Sequence, residues 1–190
     1  MEPVLLIDNY DSFTQNLVHL IQKVKDVPVV VMRNDEDFLT ELPKFKKIVI
    51  SPGPGLPEES GDLMKLFDKL NPEQHLLGVC LGHQAIALHY GGKLVQYPNV
   101  YHGSRDWMQV CEGENPLFHS LPSRFHVARY HSWGVEQKLP ADLLLSAVDD
   151  AGQVLAIRHK TLPIFGIQFH PESVLCEYSE AIVENFLRLG

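Results

Sequence analysis

Four short stretches in the first half of the chain, Val4–Ile7, Val29–Met32, Lys47–Ser51 and Leu76–Val79, are apolar or nearly so at consecutive positions, and helical patterns separate them. A strand with one wet face alternates apolar and polar residues. A run such as Ile48-Val49-Ile50 fits a strand covered on both faces. Between the first two runs, Phe13, Leu17, Leu20, Ile21 and Val24 fall on one helical face, with Asp11 or Ser12 as its cap. Further helices are predicted over Asp35–Leu42, about Ser60–Leu70 and Gln84–Tyr90. Gly91-Gly92 ends the last of these. Strands that alternate with helices imply a parallel sheet joined by right-handed crossovers, with helices on both faces.

The second half changes rhythm. Trp107–Cys111, Phe125–Tyr130, Leu143–Val148, Val154–His159 and Ile164–Phe169 read as strands at shorter spacing. Asn115-Pro116 suggests a single helical turn, and Asp149-Asp150-Ala151-Gly152 a hairpin turn. Ile182, Val183, Phe186 and Leu187 share one face of a closing helix. No repeat or linker interrupts the pattern. The expectation is a single α/β domain over residues 1–190, an open mixed, mainly parallel sheet with helices on both faces, and the length suits one core.

Composition narrows the function. A net charge of −8 argues against a general affinity for nucleic acid or anionic membranes. No apolar run approaches the ~20 residues that span a bilayer. Met1-Glu2-Pro3 lacks the basic start of a secretory signal, so the expected location is cytoplasmic. The three cysteines are far apart and do not suggest a disulfide framework. Cys111 and Cys176 read as structural thiols. The ten histidines show no compact metal-ligand spacing, so no metal site is expected.

Cys80 is different. In Leu77-Gly78-Val79-Cys80-Leu81-Gly82-His83-Gln84 an apolar run enters a Gly-x-Cys-x-Gly turn, and a helical pattern leaves it. This is a nucleophile elbow with Cys in place of Ser. A helix N-terminus or a neighbouring His can populate the thiolate. Ninety residues on, Phe169-His170-Pro171-Glu172-Ser173 supplies a base, His170, and a carboxylate, Glu172, to orient it. An acyl intermediate also needs an oxyanion hole. The Leu81 N–H is the usual first donor after an elbow nucleophile. The loop Pro52-Gly53-Pro54-Gly55 leaves Gly53 and Gly55 as N–H donors that a ligand can approach closely, and Gly53 is the expected second donor. Asp8–Thr14, Pro52–Gly61 and Cys80–Gln84 all follow first-half strands, so they should rise on one edge of the sheet, where ligands bind in open α/β folds.

Ser51-Pro52-Gly53-Pro54-Gly55, Gly78–Gln84, Tyr130-His131-Ser132 and Gly166–Ser173, in this order, resemble the motif set of the class I (triad) glutamine amidotransferases, whose core is flavodoxin-like. The opening Leu6–Thr14 is similar to that of the glutaminase components of anthranilate synthase and aminodeoxychorismate (para-aminobenzoate) synthase. The resemblance covers essentially the whole chain. It implies that Cys80 attacks L-glutamine and forms a γ-glutamyl thioester, and that ammonia passes to a chorismate-using synthase, component I of a hetero-oligomer. Gly53, Pro54, Gly55, Gln84 and the backbone of Ser132 and Trp133 would bind the substrate. No cofactor is implied on this chain; Mg²⁺ and chorismate would belong to the synthase. Two positions depart from the pattern. Ser104 follows His102-Gly103 where relatives often carry Lys, and Trp133 follows Tyr-His-Ser where a small aliphatic residue is usual. The resemblance does not separate tryptophan from folate supply.

Two other readings stand beside this one. A stand-alone cysteine hydrolase of γ-glutamyl compounds would use the same triad without a partner. A non-catalytic flavodoxin-like module would hold a phosphorylated ligand at Asp8–Thr14, although Asp8 and Asp11 would repel an anion there.

Overall fold

The computed structural model describes residues 2–98, 100–113 and 115–190; Met1, the first residue of the start considered above, lies outside them. In chain order the elements are β1 (Val4–Asp8), α1 (Thr14–Val24), β2 (Val29–Arg33), α2 (Phe38–Glu41), β3 (Lys47–Ile50), β4 (His75–Val79), α3 (Leu81–His89) and β5 (Leu94–Gln96). Then come β6 (Ser104–Val110), β7 (Arg124–Arg129), β8 (Trp133–Val135), β9 (Leu143–Asp149), β10 (Val154–His159), β11 (Ile164–Ile167) and α4 (Ser179–Arg188).

Nine strands form one sheet in the order β2-β1-β3-β4-β11-β10-β9-β6-β7. The five strands from β2 to β11 are parallel, and the β10, β9, β6 and β7 pairings that follow are antiparallel. The sheet is thus mixed and mainly parallel, as the change of rhythm between the halves implies. Its parallel strands alternate between two cores. Val4 and Leu6 of β1, Val49 of β3, and Leu77 and Val79 of β4 join the core that includes Leu17 and Ile21 of α1 and Ile182 and Phe186 of α4. Leu5, Ile7, Ile48, Ile50 and Leu76 point into the other, with Ala85 and Ile86 of α3. Apart from polar residues at their ends, Asp8, Lys47 and His75, these strands are apolar on both faces, as that period of two explains. Removing one such side chain typically costs about 2–5 kcal/mol.

Several local expectations need correction. Neither Asp11 nor Ser12 caps α1. Phe13 takes that position, and the Asp11 carboxylate accepts the Phe13 N–H at 2.8 Å instead. The helix expected over Asp35–Leu42 shrinks to Phe38–Glu41, because Glu36 folds back onto the Arg33 N–H and Asp37 caps the later start. The segment expected as a helix over about Ser60–Leu70 is a 3₁₀ run, Leu63–Lys69. Its entry is pulled aside at Gly61, whose φ is +55°, where the Asp62 N–H donates to the Asn34 carbonyl. The helix expected to begin at Gln84 begins at Leu81. A two-stranded sheet, β5 with β8, was not expected at all. The hairpin turn and the Asn115-Pro116 helical turn both lie where the sequence puts them.

Candidate active site

Cys80 occupies the junction between β4 and α3 with φ 51° and ψ −97°, a backbone conformation L-residues avoid. The flanking glycines make the turn possible. A Cβ on Gly78 would stand 2.4 Å from the Gly82 carbonyl, and one on Gly82 would stand 2.8 Å from the Ile50 side chain. Strand and helix could not approach this closely with any other residue.

The three loops after β1, β3 and β4 meet here. The Asn9 N–H donates to Ser51 Oγ at 2.9 Å, and the Asn9 amide to the Ser51 carbonyl at 3.0 Å. Asn34, after β2, donates to Asn9 Oδ1 at 3.0 Å. Gly53 is wedged between Asn9 and Leu81, with no room for a side chain: a Cβ would lie 2.5 Å from Asn9 Cβ and 2.7 Å from Leu81 Cδ2. Among the described residues, neither the Gly53 nor the Leu81 N–H finds an internal acceptor. Three donors of the Asp8–Thr14 loop go to its own carboxylates, and those of Asn9 go to Ser51. Asp8 Oδ1 accepts the Tyr10 N–H and the Thr14 hydroxyl, and Asp11 accepts the Phe13 N–H. The Asp8 and Asp11 carboxylates thus take up N–H groups that a phosphate would otherwise use.

His170 and Glu172 follow β11, the parallel neighbour of the strand that leads into Cys80. His170 Nδ1 and Glu172 Oε1 are 2.6 Å apart, both side chains almost wholly enclosed. Phe13 and Tyr130 present ring edges to the imidazole at centroid distances of 5.9 and 5.0 Å. Burial pulls the His170 imidazole down. The charge of Cys80, followed by the hydrogen bond and charge of Glu172, outweighs this and raises it to about 10. The cationic form of the ring is thereby favoured. Such a set can carry a sulfur anion beside an imidazolium ready to protonate a leaving group.

A pocket of about 170 Å³ opens above Cys80, lined by Gly53, Pro54, Gly55, Gln84, Ser132 and Trp133 with Tyr130 and His131. All six residues expected to contact substrate thus border one cavity. Gln84 is almost fully buried. Its amide donates to the Trp133 carbonyl at 2.8 Å and to Gln168 Oε1 at 3.2 Å. The departure at Trp133 enters the site through its backbone carbonyl. Ser104 is on β6, away from the pocket, with its hydroxyl on Asp106.

Sequence reasoning missed a polar chain behind the pocket. Arg129 is fully buried and pairs with Asp149 at 2.7 Å. Its Nε donates to His131 Nε2 at 3.1 Å, and His131 Nδ1 donates to the Trp133 carbonyl at 2.8 Å. Burial and the Arg129 charge push His131 down to about 3, so the ring stays neutral and keeps this tautomer. Gln168 was also missed, although its amide lies 3.5 Å from Cys80 Sγ. Its spacing of two from His170 was the available signal. Among the described residues there is no cluster of three or more His, Cys, Asp or Glu able to hold a metal, and no helix long and apolar enough to cross a membrane.

Residues 5–189 match the family described as glutamine amidotransferase class-I. The chain is similar to anthranilate synthase component 2 of Azospirillum brasilense, with 44% identity over 97% of this chain and 94% of that one. It is 42% identical, over 98% of its length, to aminodeoxychorismate synthase of Streptomyces pristinaespiralis, of which it spans 26%. Among solved structures it superposes on a Thermoplasma acidophilum protein provisionally described as a GMP synthase subunit, with a TM-score of 0.87, 31% identity, and coverage of 98% of this chain and 92% of that one.

Proposed function

The chain belongs to the class-I glutamine amidotransferase family, and on that footing we propose that it releases ammonia from L-glutamine for a synthase subunit that aminates chorismate. The observation that carries this is the strained Cys80 turn facing the His170–Glu172 pair. Cys80 Sγ attacks the side-chain carbonyl carbon of glutamine, and a C–S bond forms. The oxyanion faces the N–H groups of Gly53 and Leu81. His170 gives its proton to the departing nitrogen, the C–N bond breaks, and ammonia leaves. Water, deprotonated by His170, then cleaves the γ-glutamyl thioester and releases glutamate. Glu172 holds the imidazole and supports its cationic form. Gln84 and the Ser132–Trp133 backbone face the amino-acid end of the substrate.

The partner is a component I synthase in a hetero-oligomer, and the Mg²⁺ and chorismate chemistry belongs to it. Three free thiols suit a reducing, cytosolic setting. The test is glutamate release by the purified chain, alone and with an anthranilate or an aminodeoxychorismate synthase component plus chorismate. Stimulation by one synthase names the amination supplied, and stimulation by both means that the chain serves the two in common. Cys80→Ala should abolish glutamine-dependent amination and leave amination from ammonium salts intact. Loss of both together would refute the division of labour. Constitutive turnover of γ-glutamyl peptides, indifferent to any synthase, would favour a stand-alone hydrolase.

A further inference from the structure

Sheet register puts Gln168 beside Cys80. β4 and β11 are parallel neighbours with Gly78 opposite Gly166 and Val79 opposite Ile167. The residues that follow the two strands, Cys80 and Gln168, therefore leave the sheet side by side. The Cys80 N–H donates to the Ile167 carbonyl and the Gln168 N–H to the Leu155 carbonyl, each at 2.8 Å, which fixes both backbones. The Gln168 side chain is completely buried.

A buried primary amide has to satisfy its donors and acceptors inside the protein. Gln168 Oε1 accepts from Gln84 Nε2 at 3.2 Å, and Gln168 Nε2 approaches Cys80 Sγ at 3.5 Å. Gln84 is itself held by the Trp133 carbonyl, which also receives His131 Nδ1. The amide is thus locked with its N–H end towards the sulfur. A thiol is a weak acceptor, but a sulfur anion is a strong one, and a donor aimed at it favours the charged form. A Gln that merely filled the core would leave an apolar side chain of equal volume the better choice.

We propose that Gln168 stabilises the sulfur anion of Cys80, and that Gln84 is a positioning residue that keeps the Gln168 N–H pointed at it. The proton of the thiol goes to His170, and the amide donates a hydrogen bond without transferring a proton. This rests on Cys80 being the nucleophile, and its test is separate from that reading because it needs no glutamine turnover.

The experiment is iodoacetamide labelling of the full chain from acidic to alkaline pH, read by mass spectrometry on the peptide that carries Cys80. Gln168→Met keeps the volume and removes the donor. Gln168→Glu keeps an acceptor for Gln84 and adds a negative charge. At neutral pH, Cys80 labelling should slow about tenfold in Gln168→Met, as expected for the loss of a charge-assisted bond, and further in Gln168→Glu. The gap should close at alkaline pH. A purely structural Gln168 would lower the melting temperature and leave the labelling profile alone, and folded variants with that outcome overturn the proposal. If neither variant folds, the ¹⁵N-labelled wild-type chain decides. The Gln168 side-chain amide protons should shift downfield in step with the gain in Cys80 reactivity, and amide protons that stay still would refute it.

Discussion

Replacing Glu172 by Gln leaves an oxygen where the His170 Nδ1–H now finds one, 2.6 Å away in an enclosed site, and removes only the charge. A hydrogen bond to a charged group contributes about 1.5–3 kcal/mol and a neutral one about 0.5–1.5. The difference, about 1–2 kcal/mol, is a loss of roughly 5- to 30-fold in kcat/KM. Removing the base itself in His170→Ala should cost about 10²–10⁴-fold, so the two variants should separate clearly. The pH profile carries a second signature. His170 is raised to about 10, with Glu172 among the groups that raise it. The cation is therefore present well above neutrality and is lost as pH rises through that value. Without the carboxylate charge the loss begins at lower pH, and the alkaline limb of kcat/KM moves down. Initial rates of glutamate release at saturating synthase, measured across pH, check both. A Glu172→Gln loss equal to that of His170→Ala would mean that Glu172 builds the site rather than orienting its base. An unmoved alkaline limb would sever the link between Glu172 and the imidazolium.

Other perturbations have equally definite outcomes. Gly53→Ala puts a Cβ 2.5 Å from Asn9 Cβ and 2.9 Å from the Asn9 carbonyl, so the loop must shift. If its N–H serves the oxyanion, kcat should fall about 10²-fold in a folded protein, and wild-type kcat would remove Gly53 from that role. His83 is fully enclosed, and burial pushes it from 6.5 to about 3 against an opposing contribution from the Gly166 backbone. Its neutral form contributes stability that is complete above about pH 6.5 and is lost as pH falls from there towards 3, about 2 kcal/mol by pH 5. Thermal melts of His83→Leu should therefore lose less stability on acidification than the wild type, and parallel curves would sink the assignment.

The legible parts of this fold were those written in local patterns. The inner parallel strands announced themselves because they are buried on both faces, whereas β2, at the sheet edge, leaves Val30 and Val31 exposed. The elbow was legible because two glycines and a thiol permit few arrangements. What escaped depended on contacts distant in sequence. β5 and β8 have three residues each, too few for any period to emerge, and they exist because they pair with each other. Arg129 is a charge that sequence alone places on the surface; Asp149, 20 residues on, and Tyr101, whose ring lies 3.5 Å from the guanidinium carbon, take it inside. Gln168 becomes visible only when the register of β4 and β11 is known. Pro54, Ser132 and Trp133 were read from motif likeness, and the pocket gathers them with Gly53 and Gly55 because loops distant in sequence and β8 converge, which no local pattern encodes.

The positive φ of Cys80 has a consequence for how durable the molecule can be. A side chain held in such a torsion costs about 1–3 kcal/mol, and glycine escapes most of that cost. Cys80→Gly should therefore melt at a higher temperature than Cys80→Ala, both being inert, and it could outlast the active protein in a thermal challenge. The position that defines the chemistry is also where the chain stands to gain robustness by abandoning it. Engineering this scaffold for heat tolerance by stability screening alone would push towards silent proteins, and each round would need a count of turnover beside the count of survivors.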